Sequence, residues 1–162
     1  MGNTLIAWFS ATGTISILAH NIQKVLGGDL FQIVPKIPYE VVDLNWHDPK
    51  SRSSLEKDDP ASRPAIEGKV ANMDAYGLVL VGFPIWWYQA PRIIETFIEE
   101  YDFSGKYISV FATSGGSGLG NTEKILSSLA PKAIWLRGKK FSPTASEAEL
   151  KAWEENLRSE MK

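Results

Sequence analysis

The sequence predicts a doubly wound α/β domain, in which helices cover both faces of a five-stranded parallel sheet. Short apolar runs alternate along the chain with stretches whose apolar residues have helical spacing, which is the pattern of repeated β-α-β units. In addition, three unusual turns, rich in hydroxyl groups, tryptophan or glycine, follow three of the apolar runs. Ligands of such sheets bind beyond the carboxyl ends of the strands. We therefore expect the three turns to meet at one site.

The first part of the chain forms one β-α-β unit. The apolar run at 5–9 predicts a strand, and the apolar residues from Ile15 to Leu26 recur with the spacing of one buried helix face. Residues 30–34 then predict a second strand, which ends at Pro35 because proline has no N–H group to continue a ladder.

The later elements follow the same alternation. A proline suits the first position of a helix, and a serine followed three residues later by a glutamate is a capping box. In chain order these elements are a strand at 77–83, a helix from 91 to 101, a strand at 107–113, a helix around 125–129, a strand at 133–136 and a helix that begins at Ser146.

The longest connection runs from 36 to 76. It contains Pro38, Pro49 and Pro60, and only 51–57 could hold a short helix. Connections of this length are unusual in compact domains and often serve as covers for a functional site.

Composition narrows the classes of function. The 162 residues predict a single domain spanning 1–162, and the net charge of −2 with scattered basic residues gives no footprint for nucleic acid or an anionic membrane. The absence of cysteine excludes disulfides and thiolate chemistry. Residues 5–9 are too short for the apolar part of a signal peptide, so we expect a cytoplasmic protein without a membrane partner.

The first turn, from Ser10 to Ser16, lies between the first strand and the first helix. Free N–H groups at a helix N-terminus, the helix dipole, hydroxyl groups and a glycine together suit a phosphate ester. The alternative is an ordinary capped turn, because serine and threonine are also preferred N-cap residues.

The other two turns help to choose between these interpretations. The second contains Trp86, Trp87 and Tyr88, and the third is the glycine-rich segment 114–120. Adjacent aromatic residues in a loop either pack as core or form the wall of a site for a flat aromatic ligand. Beside a phosphate-binding turn and a loop that exposes its backbone, they favour a heterocycle with a phosphate tail. Flavin mononucleotide (FMN) has this structure.

Other kinds of site fit less well. Asn121 stands where a P-loop needs lysine, and a receiver domain would need carboxylates at Ser10 and Phe83. His20 and His47 have no partners at metal-ligand spacing. We therefore expect no metal and assign no acid, base or nucleophile.

These residues resemble the flavodoxin-like FMN-binding family. The segment 10–14 is similar to the flavodoxin phosphate loop, 84–87 resembles the second flavin loop of a branch with a P-I-W-W signature, and 113–118 is similar to its third loop. Segments 43–48 and 51–54 also resemble that branch. The resemblance covers nearly the whole chain and implies the strand order 2-1-3-4-5 with one FMN bound non-covalently.

The resemblance also implies the role of each loop. The first holds the phosphate, the second flanks the ring, and the third offers backbone groups to the pyrimidine edge of the flavin. The residues concerned are Ser10, Thr12, Gly13, Thr14 and Ile15 in the first loop, Pro84, Ile85, Trp86 and Trp87 in the second, and Ser114, Gly115, Gly116 and Gly118 in the third.

Two positions depart from the family pattern. Ile15 stands where a hydroxyl residue is often found, and Tyr88 stands where glycine is often found. A positive φ costs more at a bulky residue than at glycine.

The expected function is electron transfer, with redox partner proteins or small electron acceptors. One alternative is a two-electron NAD(P)H-dependent reductase of quinones or nitro compounds, in which the 36–76 connection shapes a substrate pocket lined by Arg52 or Trp46. A second alternative is a binding module that keeps the fold without flavin.

Overall fold

A computed structural model describes residues 3–113 and 118–161 of the chain. Its strands and helices follow the order that the sequence predicts, with additional short strands. In chain order they are β1 Asn3–Trp8, α1 Thr14–Leu26, β2 Asp29–Gln32, β3 Val34–Pro35, α2 Arg52–Asp58, β4 Ile66–Glu67, β5 Tyr76–Pro84, α3 Arg92–Glu100, β6 Tyr107–Thr113, α4 Thr122–Leu129, β7 Ile134–Trp135, β8 Lys139–Lys140 and α5 Glu147–Glu160.

The main sheet is parallel and has the order β2-β1-β5-β6-β7, with β8 also paired to β6. β7 pairs at Tyr107 and Ile108, whereas β8 pairs at Phe111 and Ala112. Both short strands thus pair with β6 on the same side, one after the other, and together they form the fifth strand of the sheet. The predicted order 2-1-3-4-5 is confirmed, and the fifth strand differs from the prediction in being interrupted.

The second strand also differs from its predicted bounds. β2 ends at Gln32, and β3 leaves the main sheet to pair antiparallel with β4, where Val34 lies opposite Glu67. Between them, Ile33 is buried and donates its N–H to the carbonyl of Trp8 at 2.7 Å. Apolar content alone predicted one strand here, but the chain changes its pairing partner at Ile33.

Successive residues of β1 point to opposite faces of the sheet. Leu5 and Ala7 pack in a cluster with α3 and α4, while Ile6 and Trp8 pack in a second cluster with α1 and α5. Helices therefore cover both faces, as the sequence predicts.

The long connection is anchored to α3 by Arg92, whose residue exposure is 8%. Its guanidinium donates to the carbonyls of Glu56 and Lys57 at 3.0 and 2.7 Å, and it pairs with the carboxylate of Glu95 at 2.7 Å. The end of α2, which lies where the sequence allows a short helix, is thereby held against the sheet layer.

Across the described ranges 3–113 and 118–161, none of the helices has the length and apolar character needed to span a bilayer.

Candidate functional site

The first loop connects β1 to α1 and presents backbone donors. Ser10 Oγ accepts the N–H of Ile15 at 3.2 Å, which fixes the start of the helix. Within the described residues, no group accepts a hydrogen bond from the N–H of Ala11, Thr12, Gly13 or Thr14. These donors lie at the positive end of the α1 dipole, where an anion is stabilised.

Gly13 gives this loop its shape. Its φ is 90°, in the left-handed region, and the helix begins at the next residue. A Cβ added to Gly13 would meet no protein atom within 4 Å. The requirement for glycine therefore comes from the backbone conformation and not from crowding by neighbouring residues.

The second loop forms a tight turn. The N–H of Trp86 donates to the carbonyl of Gln89 at 2.9 Å, and the reverse bond is 3.1 Å. The two central residues, Trp87 and Tyr88, have φ of 50° and 64°, as in the type I′ turns of β-hairpins. Such turns favour asparagine and glycine, so this one holds two bulky residues in a strained conformation.

Gly120, in the third loop, packs against Tyr88 of the second loop. Gly120 has a φ of 57°, and a Cβ built on it would lie 2.5 Å from the carbonyl oxygen of Tyr88 and 2.9 Å from its Cβ. Only glycine allows this approach. The two loops are therefore in direct backbone contact, as expected if the turns that follow the strands converge.

A cleft of about 420 Å³ lies between the first loop and the Trp86 turn. Among the described residues, its lining includes no aspartate, glutamate, histidine, lysine or arginine. It is thus a neutral cleft with hydroxyl and N–H donors at one end and apolar side chains elsewhere. The lining residues are Ser10, Ala11, Thr12, Thr14, Ile15, Leu44, Pro84, Ile85, Trp86, Thr113 and Pro143.

Most of the predicted residues of the first two loops meet in this cleft. Gly13 belongs to the same loop but does not line the cleft, and the ring of Trp87 lies 5.0 Å from the Nζ of Lys57 on α2. Ser114, Gly115 and Gly116 lie outside the described residues, while Gly118 is described and exposed. Their assignment to the cofactor stays a prediction.

Four lining residues are not among the predicted site residues, namely Ala11, Leu44, Thr113 and Pro143. Ala11 and Thr113 belong to the segments 10–14 and 113–118 that resemble flavin loops. Thr113 is the last residue of β6, so its position at a strand end was a usable signal. Leu44 comes from the long connection, whose length indicates a cover for the site but not which residue reaches it. Pro143 follows β8, and no sequence pattern indicates that this segment reaches the cleft.

Trp86 is held in an aromatic cluster. Its ring makes edge-to-face contacts with Phe9 and Tyr39, with centroid distances of 5.9 and 5.7 Å. The Tyr39 hydroxyl donates to the carboxylate of Glu56, and burial, followed by this bond, raises the pKa of Tyr39. The guanidinium carbon of Arg52 lies 3.8 Å from the centre of the Tyr39 ring.

Arg52 is fully engaged in this cluster. It donates to the carbonyl of Ile37 at 2.7 Å and pairs with Glu56 at 2.9 Å. It fixes the long connection above Trp86 and does not line the cleft. Leu44 is the residue of the long connection that lines the cleft.

The parallel sheet with order 2-1-3-4-5 and a neutral cleft at its strand ends define a flavodoxin-like domain. Residues 3–157 match the family model described as flavodoxin, so the chain belongs to the flavodoxin family.

Solved structures agree with this assignment. The chain is 42% identical to a candidate flavoprotein from Bacteroides eggerthii, with a TM-score of 0.92, covering 98% of this chain and 99% of the other. It is 44% identical to one from Bacteroides uniformis, with a TM-score of 0.90 and coverage of 95% and 98%. A flavoprotein from Lactobacillus acidophilus in complex with FMN shares the fold at 18% identity, with a TM-score of 0.70 and coverage of 95% and 99%.

A curated relative is more distant. The minor allergen Alt a 7 of Alternaria alternata is 29% identical over 138 residues, which cover 77% of this chain and 62% of the allergen. The chain thus spans less than two thirds of the length of that protein.

Proposed function

We propose that this protein binds one FMN in the 420 Å³ cleft and acts in electron transfer. The observation that supports this most directly is the first loop, where four consecutive N–H groups have no acceptor within the described residues. FMN, when bound, supplies the redox chemistry, because a flavin can exchange electrons singly or in pairs. The chain's own part is to hold the cofactor and shape access to it.

The first loop fits a phosphate ester. Its N–H groups and the hydroxyls of Ser10, Thr12 and Thr14 can donate to phosphate oxygens, and no carboxylate lines the cleft to repel them. With Ile15 in place of a hydroxyl residue, the backbone N–H groups carry more of the recognition. The rest of the cleft fits a flat ring, because Leu44, Ile85 and Trp86 provide apolar walls.

Electron transfer suits a cleft without titratable lining, since it needs no positioned acid or base. The Lactobacillus acidophilus flavoprotein contains FMN on the same fold. The proposal includes redox partner proteins or small electron acceptors as partners and the cytoplasm as the location, which cell fractionation tests.

A comparison of FMN with riboflavin tests the proposed use of the cleft. Riboflavin lacks the phosphate, so it loses the charged hydrogen bonds to the first loop. We expect it to bind about a hundredfold more weakly than FMN in a flavin-fluorescence titration, since such bonds contribute roughly 1.5–3 kcal/mol each. Equal affinities of the two flavins would contradict the assignment of the first loop to phosphate.

A second candidate function is a two-electron NAD(P)H-dependent reductase of quinones or nitro compounds. It is favoured by the apolar residues beside Leu44 on the long connection, because Val41, Val42 and Trp46 are exposed by 89%, 70% and 64%. Such a rim suits a flat organic acceptor.

Anaerobic stepwise reduction, followed by visible absorption, separates the two candidates. Two resolved one-electron stages support the electron carrier. A single two-electron stage, together with NAD(P)H turnover on a quinone, supports the reductase. A protein that gains no flavin at all would instead be the binding module without cofactor.

A further inference from the structure

A second groove lies where the interrupted fifth strand meets α5. Its volume of about 410 Å³ is close to that of the proposed FMN cleft, and the two share no lining residue among those described. The side chains that line it are Arg137, Lys139, Trp153, Asn156, Ser159 and Glu160.

The backbone on one side of this groove is fixed by side chains from three other elements. Ser109 on β6 donates to the carbonyl of Arg137 at 3.1 Å, and the N–H of Arg137 donates to Glu160 on α5 at 3.3 Å. The N–H of Gly138 donates to Glu123 on α4 at 3.2 Å. The interruption between β7 and β8 is therefore a defined feature that sets the positions of Arg137 and Lys139.

Gly138 also lets this segment approach the sheet closely. A Cβ built on it would lie 2.3 Å from Cγ2 of Val110. The residues on either side of Gly138 are both cationic.

The two cationic side chains of the groove, Arg137 and Lys139, have no hydrogen-bond acceptor among the described residues, although the Lys139 ammonium lies 5.3 Å from the Phe141 ring centre. The lining carboxylate of the groove, Glu160, already accepts the backbone N–H of Arg137. With two cations and one carboxylate among its described lining residues, the groove carries an excess positive charge, which favours an anion.

Trp153 is the buried residue in the lining of this groove. The residue is 2% exposed, and its Nε1–H is buried without an acceptor among the described residues. Its ring is fixed by edge-to-face contacts with Phe111 and Phe141, at centroid distances of 6.1 and 5.3 Å. Because both phenylalanines hold the ring, the Trp153 indole signal is a fixed reporter of any ligand that enters the groove.

We propose that this groove binds the phosphate group of a small organic molecule. Arg137 and Lys139 would neutralise the phosphate, while Asn156 and Ser159 would donate hydrogen bonds to the ligand. The groove is large enough for a small molecule attached to the phosphate. This site is separate from the FMN cleft and does not depend on it.

Tryptophan indole signals in the nitrogen–proton correlation spectrum of the labelled full-length protein test this proposal. FMN is added to saturation first, so that the first loop is occupied, and the probes are inorganic phosphate and adenosine monophosphate. We expect the Trp153 signal, assigned by its loss in Trp153→Phe, to move saturably. The buried indole of Trp8, which also has no acceptor among the described residues, serves as the internal control.

Arg137→Gln should weaken the binding of the probes about tenfold or more, because it removes charged hydrogen bonds. Lys151→Gln is the matched control, since it also removes one positive charge. Lys151 is an exposed residue of α5 that pairs with Glu147 and does not line the groove. Calorimetry on the FMN-saturated variants measures the affinities without relying on Trp153→Phe.

A Trp153 signal that neither probe moves would overturn the proposal. So would equal affinities of Arg137→Gln and Lys151→Gln for adenosine monophosphate. If the protein fails to bind FMN, the same titration is run on the flavin-free chain, where the Trp153 signal still reports on this groove and not on the first loop.

Discussion

At the scale of single residues, four of the eight positive φ angles among the described residues lie in the three loops of the site. Gly13 and Gly120 adopt them as glycines, whereas Trp87 and Tyr88 adopt them as bulky side chains. The sequence indicates the first two, because glycine is the default residue for this conformation. For Tyr88, the sequence indicates an unfavourable backbone conformation only through the family pattern, which often has glycine there. For Trp87, no sequence feature indicates a positive φ.

Gly13→Val should weaken FMN binding about tenfold, and more than Trp87→Ala does. A left-handed conformation costs a residue with a Cβ roughly 1–2 kcal/mol, and relaxing it would move the N–H groups of the first loop. Trp87 does not line the cleft. Flavin-fluorescence titration measures both affinities.

Gly105→Val is the matched control for this pair. Gly105 has a φ of 75° with open space at its Cβ position, and it does not line the cleft. It should lower stability without changing the affinity for FMN. Wild-type affinity in Gly13→Val would refute the role given to this glycine.

Tyr88→Gly should raise the free energy of unfolding by up to about 1 kcal/mol, because it relieves a left-handed tyrosine. Little burial is lost, since Tyr88 is 63% exposed. Tyr88→Ala keeps the strain and should give no increase. Urea unfolding distinguishes the two, and equal stabilities of both variants would show that the turn is not strained.

At the scale of elements, the main differences from the sequence prediction occur where pairing changes. The strand predicted at 30–34 is divided at Ile33, and the fifth strand is divided before Gly138. Apolar content predicts that a strand exists, but it does not say which neighbour each residue pairs with. Long-range contacts, such as those of Ser109 and Glu123 with the β7–β8 segment, decide this.

The anchoring of α2 to α3 leads to a stability prediction. Arg92→Met should lower the free energy of unfolding by about 3 kcal/mol, because the buried carboxylate of Glu95 then retains, among the described residues, just the longer pair with Arg63, at 3.5 Å, and the backbone carbonyls at the end of α2 lose their donor. Arg158→Met removes an exposed partner of Glu154 and should cost less than about 1 kcal/mol.

Urea unfolding of both variants measures this difference. Equal losses for Arg92→Met and Arg158→Met would mean that the buried pair contributes no more than the exposed one. The long connection would then not depend on Arg92.

At the scale of the whole molecule, the strand order and the meeting of the first two loops could be predicted, because both follow from the topology of parallel sheets. The position of Leu44 in the lining of the cleft could not be predicted. It depends on how 36–75 folds back, and that path is set by Arg52 and Arg92, whose partners are mostly backbone carbonyls. Sequence patterns do not identify carbonyl partners of this kind.

The central claim is that the cleft binds one FMN, and reconstitution of the flavin-free protein tests it most directly. Visible absorption during titration with FMN should show a shifted flavin spectrum that saturates at one FMN per chain. An unshifted spectrum of free FMN throughout the titration would contradict the account.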